Sequence, residues 1–334
     1  MIYFKNDYSE GAHPKVLEAL IHTNNLSTVG YGEDEYCKEA IQDILKRVNK
    51  PVEVHFVSGG TQANLLVISH ILKDYQAVIA CNTGHINVHE TGAIEYTGHK
   101  VLTCAGNDGK LSQEEIQEIV NAHTDEHMVQ PKMVYISQTT EVGTYYSLEE
   151  LKAISKVCKE NDLYLYMDGA RLASSLVLED APSLEDIASL VDVFYIGGTK
   201  CGALFGEAIV FSNVTLSKDF RYAIKQHGAM NAKGRLLGVQ FHTLLQSTLY
   251  EEIGKYENDK ADQLRNIFIE KGYKLYMPSL TNQVFVLMDD PTIHRLKENV
   301  YFEITGVYKN YKIVRFVCSW HTCDQDIQLL SKLL

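Results

Sequence analysis

The chain has 334 residues, 45% hydrophobic and 22% charged, a composition that belongs to a soluble globular protein with room for a large core and a smaller one. A formal net charge of −12 argues against nucleic acid or an anionic membrane surface as a partner. No apolar run approaches the roughly 18 residues of a membrane span, and the opening Met1 to Asp7 lacks the basic-then-apolar order of a secretory signal. The seven cysteines show no C-x-x-C spacing and fit free thiols in a reducing compartment, so a soluble cytoplasmic protein is expected.

The segment Asn6-Asp7-Tyr8-Ser9-Glu10-Gly11-Ala12-His13 leads into a short helix, for which Pro14 suits the first turn. A Gly-rich loop, Thr28 to Gly32, precedes a helix with Tyr36, Ala40, Ile41, Ile44 and Leu45 on one face. Residues 52–57 form a strand pattern that runs straight into Ser58-Gly59-Gly60-Thr61-Gln62-Ala63-Asn64 and a helix over 65–72. Glycines at such a turn let backbone N–H groups approach an anion, the helix dipole favours negative charge, and Thr61 adds a hydroxyl. This is read as a phosphate cradle, with an ordinary capped strand-to-helix turn as the alternative.

A short strand over 77–80 delivers Cys81-Asn-Thr-Gly-His85. His85 and His89 stand four apart, but the H-E-x-x-H order of a zinc site is missing. His85, at the mouth of a strand, is a candidate to stack on a planar cofactor ring. His123 and His127 repeat the spacing and are expected to be solvated on a charged helix. A strand over 133–137 ends in Gln138-Thr-Thr-Glu141-Val-Gly143, a polar terminus aimed at the same crevice. The next helix, over 148–161, has Ser147 as its cap and Glu149 and Glu150 in its first turn.

The two stretches that carry chemistry follow. Tyr164-Leu-Tyr-Met-Asp168 is a strand pattern that ends in a carboxylate, and after a crossover Val193-Phe-Tyr-Ile196 ends in Gly-Gly-Thr and delivers Lys200. An ammonium between two buried-strand patterns is costly unless the site uses it. Burial lowers a lysine's pKa, and a neutral amine can form a Schiff base. Parallel strands place Asp168 and Lys200 in one crevice, and such a pair is what pyridoxal phosphate requires of its protein. Cys201 beside the lysine is read as a space-filling thiol.

Residues 218–250, with Lys225, His227, Asn231, Lys233 and Arg235, are expected to form one or two long helices. Near residue 250 the period changes to a charged helix, two β-like runs over 284–287 and 312–317, and a terminal helix from Asp324. The expected organisation is an N-terminal segment 1–24, a large α/β domain 25–248 and a small α+β domain 249–334. Arg315 sits in the middle of an apolar strand, either paired structurally or aimed at a carboxylate.

Taken in order, Asn6 to Gly11, Ser58 to Asn64, Met167-Asp-Gly-Ala-Arg171, Gly198-Thr-Lys200 and Ile313-Val-Arg-Phe-Val317 resemble the low-specificity L-threonine aldolases. These lie within the β-eliminating lyase group of fold type I pyridoxal-phosphate enzymes, and the resemblance spans nearly the whole chain. It implies an aspartate-aminotransferase-like fold with a mostly parallel sheet, and cleavage of the Cα–Cβ bond of a β-hydroxy-α-amino acid. By the same resemblance Lys200 carries the cofactor, Asp168 pairs with its ring nitrogen, Gly60 and Thr61 hold its phosphate, and His85 stacks on the ring. Arg171 and Arg315 bind the substrate carboxylate with Asn6 or Asp7 nearby. Glu141 stands in a segment where relatives carry a histidine, which makes it a candidate base beside His85. The segment 225–233 lacks the arginine that relatives bring to the phosphate from a neighbouring subunit, and a homodimer or homotetramer is implied. The same lysine, aspartate and arginines would also serve β-elimination or transamination, and a non-catalytic α/β binding protein is the remaining alternative.

Overall fold

A computed structural model describes residues 1–334. The strands in chain order are β1 (Ile2–Tyr3), β2 (Glu53–Val57), β3 (Gln76–Cys81), β4 (Lys100–Cys104), β5 (Gln130–Ser137), β6 (Tyr164–Asp168), β7 (Val193–Gly197) and β8 (Glu207–Phe211). All but β1 build one seven-stranded sheet in the order β2-β8-β7-β6-β5-β3-β4. From β4 to β7 the neighbours are parallel, while β8 is antiparallel to both β7 and β2. Every residue of β3, β7 and β8 is buried, which is why these runs read as continuously apolar. Two cores, of 41 and 20 buried residues, include residues from opposite faces of this sheet.

The directions of the strands decide where the chemistry collects. β2 through β7 all end at one edge, which gathers the turns after Val57, Cys81, Ser137, Asp168 and Gly197. Only β8 begins there, so its first residue, Glu207, stands in register between Val57 and Gly197.

The rest of the chain adds β9 (Lys274–Leu275), β10 (Gln283–Met288), β11 (Val300–Tyr301), β12 (Glu303–Tyr308) and β13 (Tyr311–Val317). Four of these form an antiparallel sheet in the order β12-β13-β10-β9, and β11 pairs in parallel with β1. A third core joins Ile2 and Phe4 to Leu264, Phe268, Phe316 and Leu330, so the first residues of the chain are built into its C-terminal part. The helix Leu249–Glu270 opens that part and also packs against the short helix Leu172–Leu176 that follows β6. No helix is long and apolar enough to cross a membrane.

Three local expectations change. The helix expected over 65–72 begins at Gly60, so the cradle glycine is itself the first helical residue. Residues 218–250 do not form long helices: Phe220–Gln226 stops before Gly228, whose left-handed φ of 69° suits a helix end, and Arg235–Leu245 starts afresh. His123 and His127 are not on a helix. Gln113–Ala122 ends before them, and the Asp125 side chain accepts from the His127 N–H (3.0 Å) in an Asx turn.

Candidate active site

Asp168, the last residue of β6, is 4% exposed and is the hub of the site. Its Oδ2 accepts hydrogen bonds from the Tyr135 hydroxyl (2.7 Å) and Asn64 Nδ2 (3.1 Å). Its Oδ1 accepts from the Ala170 N–H (3.0 Å) and the Tyr195 hydroxyl. Burial alone would raise this carboxyl, yet the His85 imidazole, the two phenols and the Ala170 N–H together hold it below the usual carboxylate range. Burial, reinforced by Asp168, pushes both phenols up, so they remain donors. The result is a buried, persistent anion.

His85 opens the short helix His85–Val88 beyond β3. Its Nδ1 lies 2.8 Å from Glu90 Oε1, and the same oxygen accepts from Asn64 Nδ2 (2.7 Å). A carboxylate only accepts, so Nδ1 carries a proton, and in the neutral ring Nε2 is left as the acceptor. Asn64 therefore bridges Asp168 and Glu90, and the Tyr166 hydroxyl fixes its orientation by donating to Oδ1 (2.8 Å). Glu141 does not act on the ring of His85 but on its main chain: Oε1 accepts from the His85 N–H (3.0 Å) and the Ser137 hydroxyl (2.7 Å). Burial pushes the Glu141 carboxyl up, with Ser137 opposing and Asp168 adding to the shift.

Lys200 rides on the turn between β7 and β8. The N–H groups of Gly198 and Thr199 both donate to the Gly206 carbonyl (3.0 and 3.1 Å). The Gly206 N–H donates to Thr199 Oγ1 (3.0 Å). The Glu207 carboxyl closes the turn by accepting from the Thr199 hydroxyl (2.7 Å) and the Gly198 N–H (3.0 Å). Burial, and then the Arg171 charge, lower the Lys200 pKa against the pull of Asp7, Asp168 and Glu207, which favours the neutral nucleophile. The Tyr8 ring centre lies 5.9 Å from its Nζ.

At the other end of the crevice Gly59 caps the helix Gly60–Ile71 with no side-chain hydrogen bond, so the first-turn N–H groups are left for an anion. A Cβ at Gly60 would stand 3.0 Å from the Tyr195 hydroxyl, in the space that hydroxyl uses beside Asp168. Thr61 is exposed beside it. Asn231 Nδ2 donates to the Ser58 hydroxyl (2.8 Å), while Lys225 lies over the Tyr31 ring (4.9 Å) and Lys233 is exposed. A recess of about 630 Å³ lined by Val29, Tyr31, Arg221, Tyr222 and Lys225 contains none of the Lys200 group.

The expected carboxylate clamp is partly spoken for. Arg171 gives Nε and Nη2 to Asp7 (2.7 and 3.1 Å), which also accepts from Asn282 Nδ2 (2.9 Å). That pair is buried, and only Nη1 of Arg171 has no protein partner. Arg315 pairs through Nη2 with Glu303 and through Nη1 with Gln283 Oε1 (3.2 Å), but its buried Nε has no partner. Asn6 spends Oδ1 on the Tyr8 N–H (3.1 Å) and the Ser9 hydroxyl (2.7 Å), which leaves its amide N–H₂.

Asp168, Lys200, His85, Glu141, Gly60 and Thr61 thus gather at one edge of the large sheet with Arg171 just after Asp168, while Arg315 comes from β13 and Asn6 from the N-terminal segment; Asn64, Glu90, Tyr135, Tyr195 and Glu207 join them unforeseen. Asn64 had a signal, since it closes the Ser58–Asn64 segment; the two tyrosines read only as strand residues. The residues present fit pyridoxal phosphate: a fixed anion for the ring nitrogen, a depressed lysine, an uncapped helix start and an orphaned guanidinium Nε.

A family model described as β-eliminating lyase matches residues 9–291. A low-specificity L-threonine aldolase from a Pseudomonas species is 34% identical over 332 residues, 98% of this chain and 95% of that protein. A solved threonine aldolase from Leishmania major is 44% identical, with a TM-score of 0.97 over 100% of this chain and 99% of that one. Aspartate aminotransferase from Thermus thermophilus shares the fold at 14% identity, with a TM-score of 0.76 over 100% of this chain and 92% of the other. In sequence over most of its length and in the architecture of its sheet, this chain belongs to the β-eliminating lyase family.

Proposed function

We propose that the protein is a pyridoxal-phosphate-dependent carbon–carbon lyase that cleaves L-threonine and L-allo-threonine to glycine and acetaldehyde. The observation that carries the chemistry is the joint placement of anionic Asp168, depressed Lys200 and a His85 ring held by Glu90 with Nε2 free. The choice of bond rests on the threonine aldolase relatives.

Bound here, pyridoxal phosphate supplies an electron sink for the charge that develops at Cα. Lys200 would tether it, Asp168 would keep its ring nitrogen protonated, and the N–H groups at Gly60 and Thr61 would take its phosphate. The free Nη1 of Arg171, Nε of Arg315 and the Asn6 amide are the donors left for the substrate carboxylate. Holding the carboxylate fixes which Cα bond faces the sink. His85 Nε2 would take the β-hydroxyl proton, and Glu141 holds the His85 main chain.

The same proposal includes at least a homodimer, which the family resemblance supports, and a reducing compartment such as the cytoplasm, which the seven free cysteines support. Incubation with L-threonine and assay of acetaldehyde against 2-oxobutyrate tests the bond assignment. 2-Oxobutyrate without aldehyde would replace it with β-elimination, and light scattering on the purified chain tests the assembly.

A further inference from the structure

Glu207 has no part in the chemistry above, yet it occupies the junction of the two features that hold the cofactor. It is the first residue of β8, 4% exposed, and its register partners are Val57, where the strand enters the phosphate cradle, and Gly197, where the strand enters the Lys200 turn. Its face of the sheet is also fixed. Val57, Tyr195 and Ile209 share a core with Ala63, Leu66 and Val67 of the Gly60–Ile71 helix, and side-chain alternation puts Glu207 on that same face. The carboxyl is thus buried on the side where the anion-binding helix begins.

We propose that Glu207 makes retention of the cofactor's phosphate proton-linked: neutral, it braces the Lys200 turn and leaves the cradle to the anion, whereas ionised it sets a second buried negative charge against the phosphate. The inference rests on the pyridoxal-phosphate reading of the site and is independent of which substrate bond breaks. Burial pushes the Glu207 carboxyl up to about 8, against the hydrogen bonds from Thr199 and Gly198 and the Lys200 charge, and with Asp168 adding to the rise. The other titratable groups that face it are the phenols of Tyr195 on β7, Tyr166 on β6 and Tyr250 on the Leu249–Glu270 helix. The first turn of the Gly60–Ile71 helix, Gly60-Thr61-Gln62-Ala63, carries no charge. Two like charges in a low-dielectric place cannot both stay ionised at small cost, so bound phosphate drives the Glu207 midpoint further up and Glu207 ionisation drives phosphate off.

The test uses the full-length holoenzyme and its Glu207→Gln variant. Pyridoxal phosphate affinity is measured by equilibrium dialysis from pH 7 to pH 9.5, and the ³¹P resonance of the bound cofactor is followed over the same range. Lys200 titrates in both proteins, so the difference between them isolates Glu207. Above the Glu207 midpoint the wild-type Kd should rise up to about tenfold per pH unit more steeply than the variant's, with a ³¹P titration that the variant lacks. Parallel affinity curves and matching ³¹P profiles would overturn the inference. If Glu207→Gln does not fold, calorimetry of cofactor binding to Lys200→Ala at pH 9.5 in two buffers of different ionisation enthalpy replaces it, the lysine's own proton being absent there. Uptake of close to one proton supports the linkage and no uptake overturns it. A wild-type protein that takes up no coenzyme at pH 7 would remove the cofactor reading and this inference together, whereas bound coenzyme without a linked proton removes this inference alone.

Discussion

Asp168 and Glu207 are both 4% exposed, both lie at the same sheet edge and both act on Lys200, yet their charges go opposite ways. Asp168 is held below the usual carboxylate range and Glu207 is pushed up to about 8. The difference is the company each keeps. Asp168 receives two phenols, an amide N–H and a backbone N–H, with His85 close by, whereas Glu207 receives one hydroxyl and one N–H from the turn it braces. Burial taxes both carboxylates, and donors decide which one stays ionised.

The largest effect should come from the lysine the two acids share. Lys200→Ala should cost on the order of 10³-fold or more in kcat and abolish the visible absorption of the lysine–coenzyme linkage; a variant that keeps that absorption would place the tether elsewhere. Asp168→Asn removes the anion while keeping the shape and should lower kcat by roughly 10²- to 10³-fold. If Glu207→Gln proved as damaging, the two carboxyls would not have the separate roles assigned to them.

Tyr195→Phe sharpens the comparison by withdrawing one donor from Asp168. It should cost about 1.5–3 kcal/mol, the range for a hydrogen bond to a charged group, measured by urea unfolding at neutral pH. Glu90→Gln frees His85 from its carboxylate partner and should lower kcat about tenfold with KM little changed. An unchanged kcat would detach Glu90 from His85.

The last test concerns pH and stability, where the two acids have opposite signs. Asp168 is depressed from an unfolded value near 3.8, so it stabilises the fold above that pH and its contribution is lost as pH falls through the folded value. Glu207 is raised from 4.5 to about 8, so relative to Glu207→Gln the wild type should lose stability as pH climbs between those values and run parallel above them. Urea midpoints for the pair at pH 5, 6.5, 8 and 9 read this directly.

Much of the site was legible because its residues close short strand-to-turn segments. Asp168, Lys200, Gly60 and His85 each follow an apolar run, and a chemically unusual residue at such a place stands out against the pattern. Arg171 and Arg315 were equally visible as charges, but their working atoms were not. Asp7 holds one edge of Arg171 from 164 positions away, and Glu303 and Gln283 reach Arg315 from neighbouring strands. Glu141 was found as a polar strand end, while its target, the main chain of His85, depends on how two separate turns meet. The long helices expected over 218–250 failed because the polar stretch around Gly228 offers no buried stripe to extend.

The amino-acid order by itself set the strand-turn-helix units and the placing of the candidate tether Lys200 and its candidate acid Asp168 at strand ends, because periodicity and local backbone chemistry act within a dozen residues. Tertiary structure decided the rest: the pairing of β1 with β11, the Asn64 bridge between Asp168 and Glu90, and the opposite charges of Asp168 and Glu207. Each of these depends on register and on the dielectric and donors supplied by distant segments, which exist only once the chain has closed on itself.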